Sequence, residues 1–359
     1  MTALLNATDN ALIDGILEGI VTIYDLAFAG QIRALYLTGS WSNGTGVYHP
    51  GDAYNSSDLD LHIVFGASSA PEEKERARQF LGACRQISPV GLDGYLCREE
   101  DLEGYWDTSL KQSSLLLYGD DIRDAITLPA LEDHIQRVLT FPPYCLAEPR
   151  HQLAEPRHQQ EPCLLFPLSY PDPEGEFYGY DHVEASHSIR PSTRALVGSV
   201  TWAATVMLAI QAGCYAGNKR DAVHLYREHI HDAWSDLIET VFDQCKLTWQ
   251  FRVPEKAADR RHLRQMCRQM PGLENHLLSI YRTYLLQELA QPEEERQQFA
   301  IEMLGQVIFL DEEVSALMQQ YILSPRARLQ AAAHRTLEKI DHVRSTVESP
   351  AMYKQTEEL

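Results

Sequence analysis

The eight residues Asp58-Leu59-Asp60-Leu61-His62-Ile63-Val64-Phe65 constrain this chain more than any other stretch. Successive side chains of a β-strand point to opposite faces. Leu59, Leu61, Ile63 and Phe65 therefore share one face, and Asp58, Asp60, His62 and Val64 share the other. Such a strand has to bury its leucine face under a layer of helices, which holds the two carboxylates rigidly on the opposite side. Acids at i and i+2 stand about 7 Å apart at their α-carbons. Two hard oxygen ligands at that separation suit Mg²⁺, which keeps waters and accepts phosphate oxygens as its remaining ligands.

The surrounding pattern alternates helix and strand. Asp9 is placed to cap a helix running to Phe28, with Ile13, Leu17, Ile20, Val21 and Tyr24 at helical spacing. Ile32–Leu37 reads as a strand ending in Thr38-Gly39-Ser40, and a loop rich in Gly, Asn and Ser follows. A Gly-Ser turn suits phosphate binding: glycine lets the backbone approach, and serine adds a hydroxyl. Pro71 opens a helix to Arg85, Val90–Leu96 is a second apolar strand carrying Asp93, and helices are expected over Leu102–Leu117 and Pro129–Phe141. If the Asp93 strand lies beside Asp58–Phe65, three acids converge. Glu99, Glu100 or Asp101 would replace Asp93 if the strand register differs.

Ala147–Gln152 and Ala154–Gln159 both read AEPRHQ, a proline-bearing repeat that cannot build a core and is expected to be an exposed linker. The expected division is residues 1–146, a linker over 147–162, a helical region over 163–347 and a disordered tail over 348–359. Pro191–Ala212, Lys219–His231 and Trp234–Leu247 all read as helices. Ala195–Asn218 carries no charge and is long enough to cross a bilayer, but its Gly, Ser, Thr and Gln favour a buried central helix. His229 and His231 diverge on a helix and form no metal pair, and Trp202, Trp234 and Trp249 are expected in the core.

Charge narrows the partners. The formal net charge is −20, and residues 1–146 alone hold 9 basic against 21 acidic side chains. No basic lobe stands ready to neutralise a phosphate backbone, so nucleic acid is disfavoured and a cationic small molecule is favoured. Asp181 and Glu184, ahead of the helical region, are candidates for binding its ammonium groups. Seven scattered cysteines without a C-x-x-C pair suggest reduced thiols in a cytoplasmic protein, and the N-terminus lacks the basic start of a signal peptide.

The order of apolar strand, Gly39-Ser40, polar loop and Ser57-Asp58-Leu59-Asp60-Leu61 resembles the signature of the polymerase-β-like nucleotidyltransferase superfamily. Its spacer of seventeen residues is longer than the family's usual one. Leu115-Leu116-Leu117-Tyr118-Gly119-Asp120-Asp121-Ile122 is similar to a turn of the aminoglycoside adenylyltransferases, as is a helix ending in Gly213 before Asn218-Lys219. The resemblance implies an α+β chain: a nucleotidyltransferase-type mixed sheet flanked by helices, then an all-α bundle that binds the acceptor. It implies transfer of a nucleoside monophosphate, from ATP or another nucleoside triphosphate, to a hydroxyl of a small cationic acceptor such as an aminoglycoside. Asp58 and Asp60 would hold two Mg²⁺. Gly39, Ser40, Ser57 and Lys219 would touch the phosphates, and Asp93 would serve as third carboxylate, as metal ligand or as base. The alternatives are a nucleotidyltransferase modifying protein or tRNA in the manner of toxin–antitoxin systems, or a nucleotide-binding regulatory module without turnover.

Overall fold

A computed structural model describes residues 2–67, 69–102, 107–143, 145–146, 164–168, 182–183, 189–309 and 311–347. The AEPRHQ repeat, Asp181, Glu184 and residues 348–359 lie outside the described residues, as do the linker and tail expected there.

The chain is α+β. Its first half folds around β1 (Ile32–Thr38), β2 (Leu59–Phe65), β3 (Leu92–Arg98) and β4 (Leu115–Gly119), in the spatial order β3-β2-β1-β4. β1 pairs antiparallel with β2 and β4, and β2 pairs parallel with β3. A single turn, α2 (Gly39–Ser42), follows β1. The leucine face of β2 is wholly buried: Leu59, Leu61, Ile63 and Phe65 pack with Ile13, Leu17 and Tyr24 of α1 (Ala11–Ala27) and Ala77 and Leu81 of α3 (Pro71–Ile87). On the other face Tyr36 and Val64 meet Cys97, Leu102 and Leu110 in a second cluster. β2 is thus covered on both sides except at its start, where Asp58 and Asp60 stand.

Several local readings change. Asn10, not Asp9, caps α1, its side chain accepting from the amides of Leu12 and Ile13. The helix expected over Leu102–Leu117 is cut short to α4 (Thr108–Ser113), because Leu115–Leu117 open β4 and pair with β1 at the sheet edge. The expected helix Pro129–Phe141 forms as α5 (Leu131–Val138), but its Ile135 and Val138 belong to the core of the helical half.

That half consists of α6 (Arg194–Met207), α7 (Lys219–His229), α8 (Ser235–Val241), α9 (Ala257–Leu289), α10 (Glu294–Leu304), α11 (Glu312–Ile322) and α12 (Ala327–Val347). It is not all-α: among the short strands β5 (Leu164–Phe166), β6 (His182–Val183), β7 (Ile189–Arg190) and β8 (Val307–Phe309), β5 pairs parallel with β8, and β6 pairs antiparallel with β7. Val307 and Phe309 are fully buried in the helical core, where β8 pairs with β5. The uncharged stretch around α6 is long and apolar enough to span a membrane, yet 61% of it is buried inside the protein. Its Leu196, Val197, Val200, Ala203, Ala204 and Met207 form the centre of the helical core.

A candidate active-site cleft between sheet and helices

The two halves meet over the open start of β2 and enclose a cleft of about 540 Å³. Gly39, Ser40, Ser57, Asp58 and Asp60 line it from the sheet side, and Arg194, Lys219 and Lys246 line it from the helical side. The β1–β2 register sets Thr38 opposite Asp60, so the chain turns at Gly39 directly beside the Asp60 carboxylate. Gly39 has φ +72°, and a Cβ there would run into that carboxylate. Only glycine meets both demands. Gly91 plays the same part for Asp58, whose carboxylate fills the space a side chain at 91 would take.

The long loop after Ser40 is tied down rather than loose. Trp41 donates its indole N–H to the Ser57 carbonyl at 3.0 Å, and Ser57 Oγ accepts from the Val47 amide at 3.1 Å. The helical half then grips it. Arg194, the first residue of α6, donates to the carbonyls of Tyr54 (2.6 Å) and Ser56 (2.7 Å) and to Asp58 Oδ2 (2.7 Å). Ser192 Oγ donates to Asn55 Oδ1 at 2.7 Å, and the His49 ring is 2.8 Å from the Gln250 carbonyl.

Electrostatics single out Asp60. Burial, then the charges of Asp58 and Asp93, push its carboxyl up to about 6, against the pull of Lys219 and His62. Asp58 is neutralised by Arg194, whereas Asp60 has no ion pair among the described residues. Lys219 is set at the start of α7 by Asn218, whose side chain accepts from the Asp221 amide. Its ammonium pKa is lowered by burial and by Arg194, opposed by Asp60 and Asp58. Water in the open cleft still reaches Lys219, which tempers that shift.

Asp93 stands next to Asp60 across the β2–β3 pair, in register. It is not among the residues lining the cleft: its carboxylate is 59% exposed and pairs with Arg85 at 2.8 Å. The other three acids do not substitute for it. Glu99, Glu100 and Asp101 follow the end of β3 opposite Phe65, six or more residues along from Asp93, so roughly 20 Å away at strand rise. There they pair with Arg33, Arg98 and Lys74 respectively.

Asp107, His62, Arg194 and Lys246 are among the cleft residues that a motif-based reading passes over. Asp107 caps α4 and lies 3.2 Å from the Nε2 of buried His62. Burial pushes its carboxyl up, but the hydrogen bond and charge of His62, with hydrogen bonds from Ser109, hold it below the usual carboxylate value. The Asp-Thr-Ser helix start and the i+2 periodicity of β2 were the available signals for this pair. Arg194 and Lys246 carry no such signal, since each reaches the site from more than a hundred residues away in sequence.

Among the described residues, no group of three or more His, Cys, Asp or Glu side chains is clustered as an all-protein metal site. The pair Asp58 and Asp60 nevertheless fits Mg²⁺. That ion takes one or two carboxylates and completes its octahedron with water and phosphate. A carboxyl pushed up to about 6 by burial and then by its like-charged neighbours is the electrostatic condition that a bound cation relieves. The chain matches no protein-family model, and no curated protein matches it.

Proposed function

We propose that this chain is a Mg²⁺-dependent nucleotidyltransferase, moving a nucleoside monophosphate from a nucleoside triphosphate to a hydroxyl of a small acceptor. The observation that supports it is one cleft in which Asp58 and Asp60 face Arg194, Lys219 and Lys246. Carboxylates alone would suit a cation, and cations alone an anion. Both sets together suit a metal–polyphosphate complex, as does a Gly39-Ser40 turn that brings backbone and a hydroxyl to the same space.

In this reading the acceptor oxygen attacks the α-phosphorus in line, the bond to the bridging oxygen breaks, and pyrophosphate leaves. Bound Mg²⁺ would supply charge neutralisation for the developing and leaving oxygens. Asp58 and Asp60 would hold it, while Lys219 and Arg194 take up phosphate charge and Ser40 and Ser57 orient the chain. The acceptor proton goes to a carboxylate. Asp93 adjoins Asp60, and its solvent-exposed pair with Arg85 costs under about 1 kcal/mol to break. The chain's net charge favours a cationic acceptor such as an aminoglycoside.

The test is transfer of label from α-labelled nucleoside triphosphates, with Mg²⁺, to aminoglycosides, bulk tRNA and the protein itself. Labelled aminoglycoside is the expected product, and Asp58→Asn or Asp60→Asn should lower turnover to a few per cent or less with the fold intact. Label on tRNA or protein would move the acceptor to a macromolecule. Undiminished transfer by either variant would sink the metal assignment.

A further inference from the structure

Lys246 is 1% exposed, the most buried lysine of the described chain, and it lines the cleft. It sits in the widened helical turn Phe242–Thr248 that continues α8, with its Nζ 5.6 Å from the Phe242 ring and 5.8 Å from the Phe251 ring. Phe251 is held there in a left-handed conformation, φ +67°, next to Gln250 at φ +50°. The Phe251 amide donates to the Cys245 carbonyl at 2.7 Å, and the Phe251 carbonyl accepts from the Thr193 amide at 2.7 Å. Residues other than glycine keep such backbone angles only where their surroundings enforce them. Lys246 Nζ donates to Ser40 Oγ at 2.7 Å, a contact across the two halves at the Gly-Ser turn.

Among the described groups, Lys219 on α7 and Arg194 on α6 act on Lys246 with like charge, and Asp60 on β2 with opposite charge. The neighbouring Cys245 thiol is pushed up to about 12 by burial and stays neutral. Two cations nearby and an apolar wall make an ammonium expensive here until an anion arrives, and a serine hydroxyl is not one.

We propose that Lys246 is a nucleotide-phosphate ligand that binds a proton from solvent as a phosphate oxygen replaces the Ser40 hydroxyl as its partner. This rests on the nucleotidyltransferase reading and adds to it a residue and a proton. Burial, Lys219 and Arg194 lower the Lys246 ammonium to about 7, so at pH 8 it is mostly neutral in the free protein. A phosphate at hydrogen-bond distance offsets all three causes and restores the charged form.

Titration calorimetry of the full chain with Mg²⁺ and α,β-methylene-ATP, at pH 8 in two buffers of different ionisation enthalpy, reads the proton directly. Asp60 is ionised at that pH with or without ligand and contributes nothing. Close to one proton should be taken up, and affinity should weaken towards tenfold per pH unit above about pH 7. Lys246→Met, of similar length, should bind more weakly and take up close to one proton fewer than wild type. That difference separates Lys246 from Lys219, whose ammonium is lowered in the same direction. Wild-type binding without proton uptake, an affinity flat between pH 7 and 9, or uptake unchanged in Lys246→Met would each overturn the proposal. No binding of the analogue at any pH would instead sink the nucleotide reading, and this inference with it.

Discussion

Asp60 costs the folded chain stability, because the start of β2 sets it partly buried between two like charges. Its carboxyl is raised from 3.8 to about 6, so from about pH 4 to 6 the folded chain binds a proton that the unfolded chain releases. Stability therefore falls as pH rises through that window and stays lower above it. One pKa unit is about 1.4 kcal/mol, which puts the cost on the order of 1–3 kcal/mol, reduced by the water that reaches the cleft. Asp60→Asn should melt at higher temperature than wild type at pH 7.5 and at the same temperature near pH 4. Mg²⁺ should stabilise wild type and leave the variant unmoved. Melting curves at the two pH values check it; a variant less stable than wild type at pH 7.5 would contradict it. Asp58, Asp60, Gly39 and Ser40 were legible in the sequence because strand periodicity and one turn are local properties. The condition set on Asp93, that its strand lie beside β2, is met, but its partner Arg85 comes from α3, and no local pattern shows that pairing.

Among the elements, α6 does two jobs through its first residue. Its apolar body centres the helical core, while Arg194 reaches out to two loop carbonyls and Asp58. Hydrogen bonds to a charged group contribute about 1.5–3 kcal/mol in total terms of stability when one such group is removed with its partners left buried. Arg194→Met should therefore lower the melting temperature by a few degrees and loosen the 43–57 loop. Arg194→Lys should recover only part, since an ammonium lacks the planar fork that spans three acceptors. Hydrogen exchange at the Tyr54–Asp58 amides, faster in Arg194→Met than in wild type, is the readout. Unchanged exchange would mean the loop holds itself. The body of α6 was readable from its composition. The role of Arg194 was not, because it depends on a loop 136 to 140 residues earlier. β4 was misread as helix for a related reason: three consecutive leucines carry no period, and the free edge of β1 decides their conformation.

Over the whole molecule, the charge balance of the cleft differs from that of the surface around it. The chain carries −20, yet the described lining of the cleft holds Arg137, Arg194, Lys219 and Lys246 against Asp58, Asp60 and Asp107. The negative excess of the described residues therefore lies outside this lining, where it attracts cations over distance. A Mg²⁺–triphosphate complex would engage the cleft's cations and bring its own negative oxygens to the same space. The two ligands should therefore bind in order. A polyaminated sugar alone should leave the melting temperature unchanged. With Mg²⁺ and α,β-methylene-ATP present it should raise it, more at about 20 mM than at about 300 mM salt, because screening shortens from roughly 20 Å to under 8 Å over that range. Stabilisation by the sugar without nucleotide would show that a negative subsite exists independently of the phosphates. Stabilisation under neither condition would remove polycations as the acceptor class and leave the hydroxyl to a neutral or macromolecular partner.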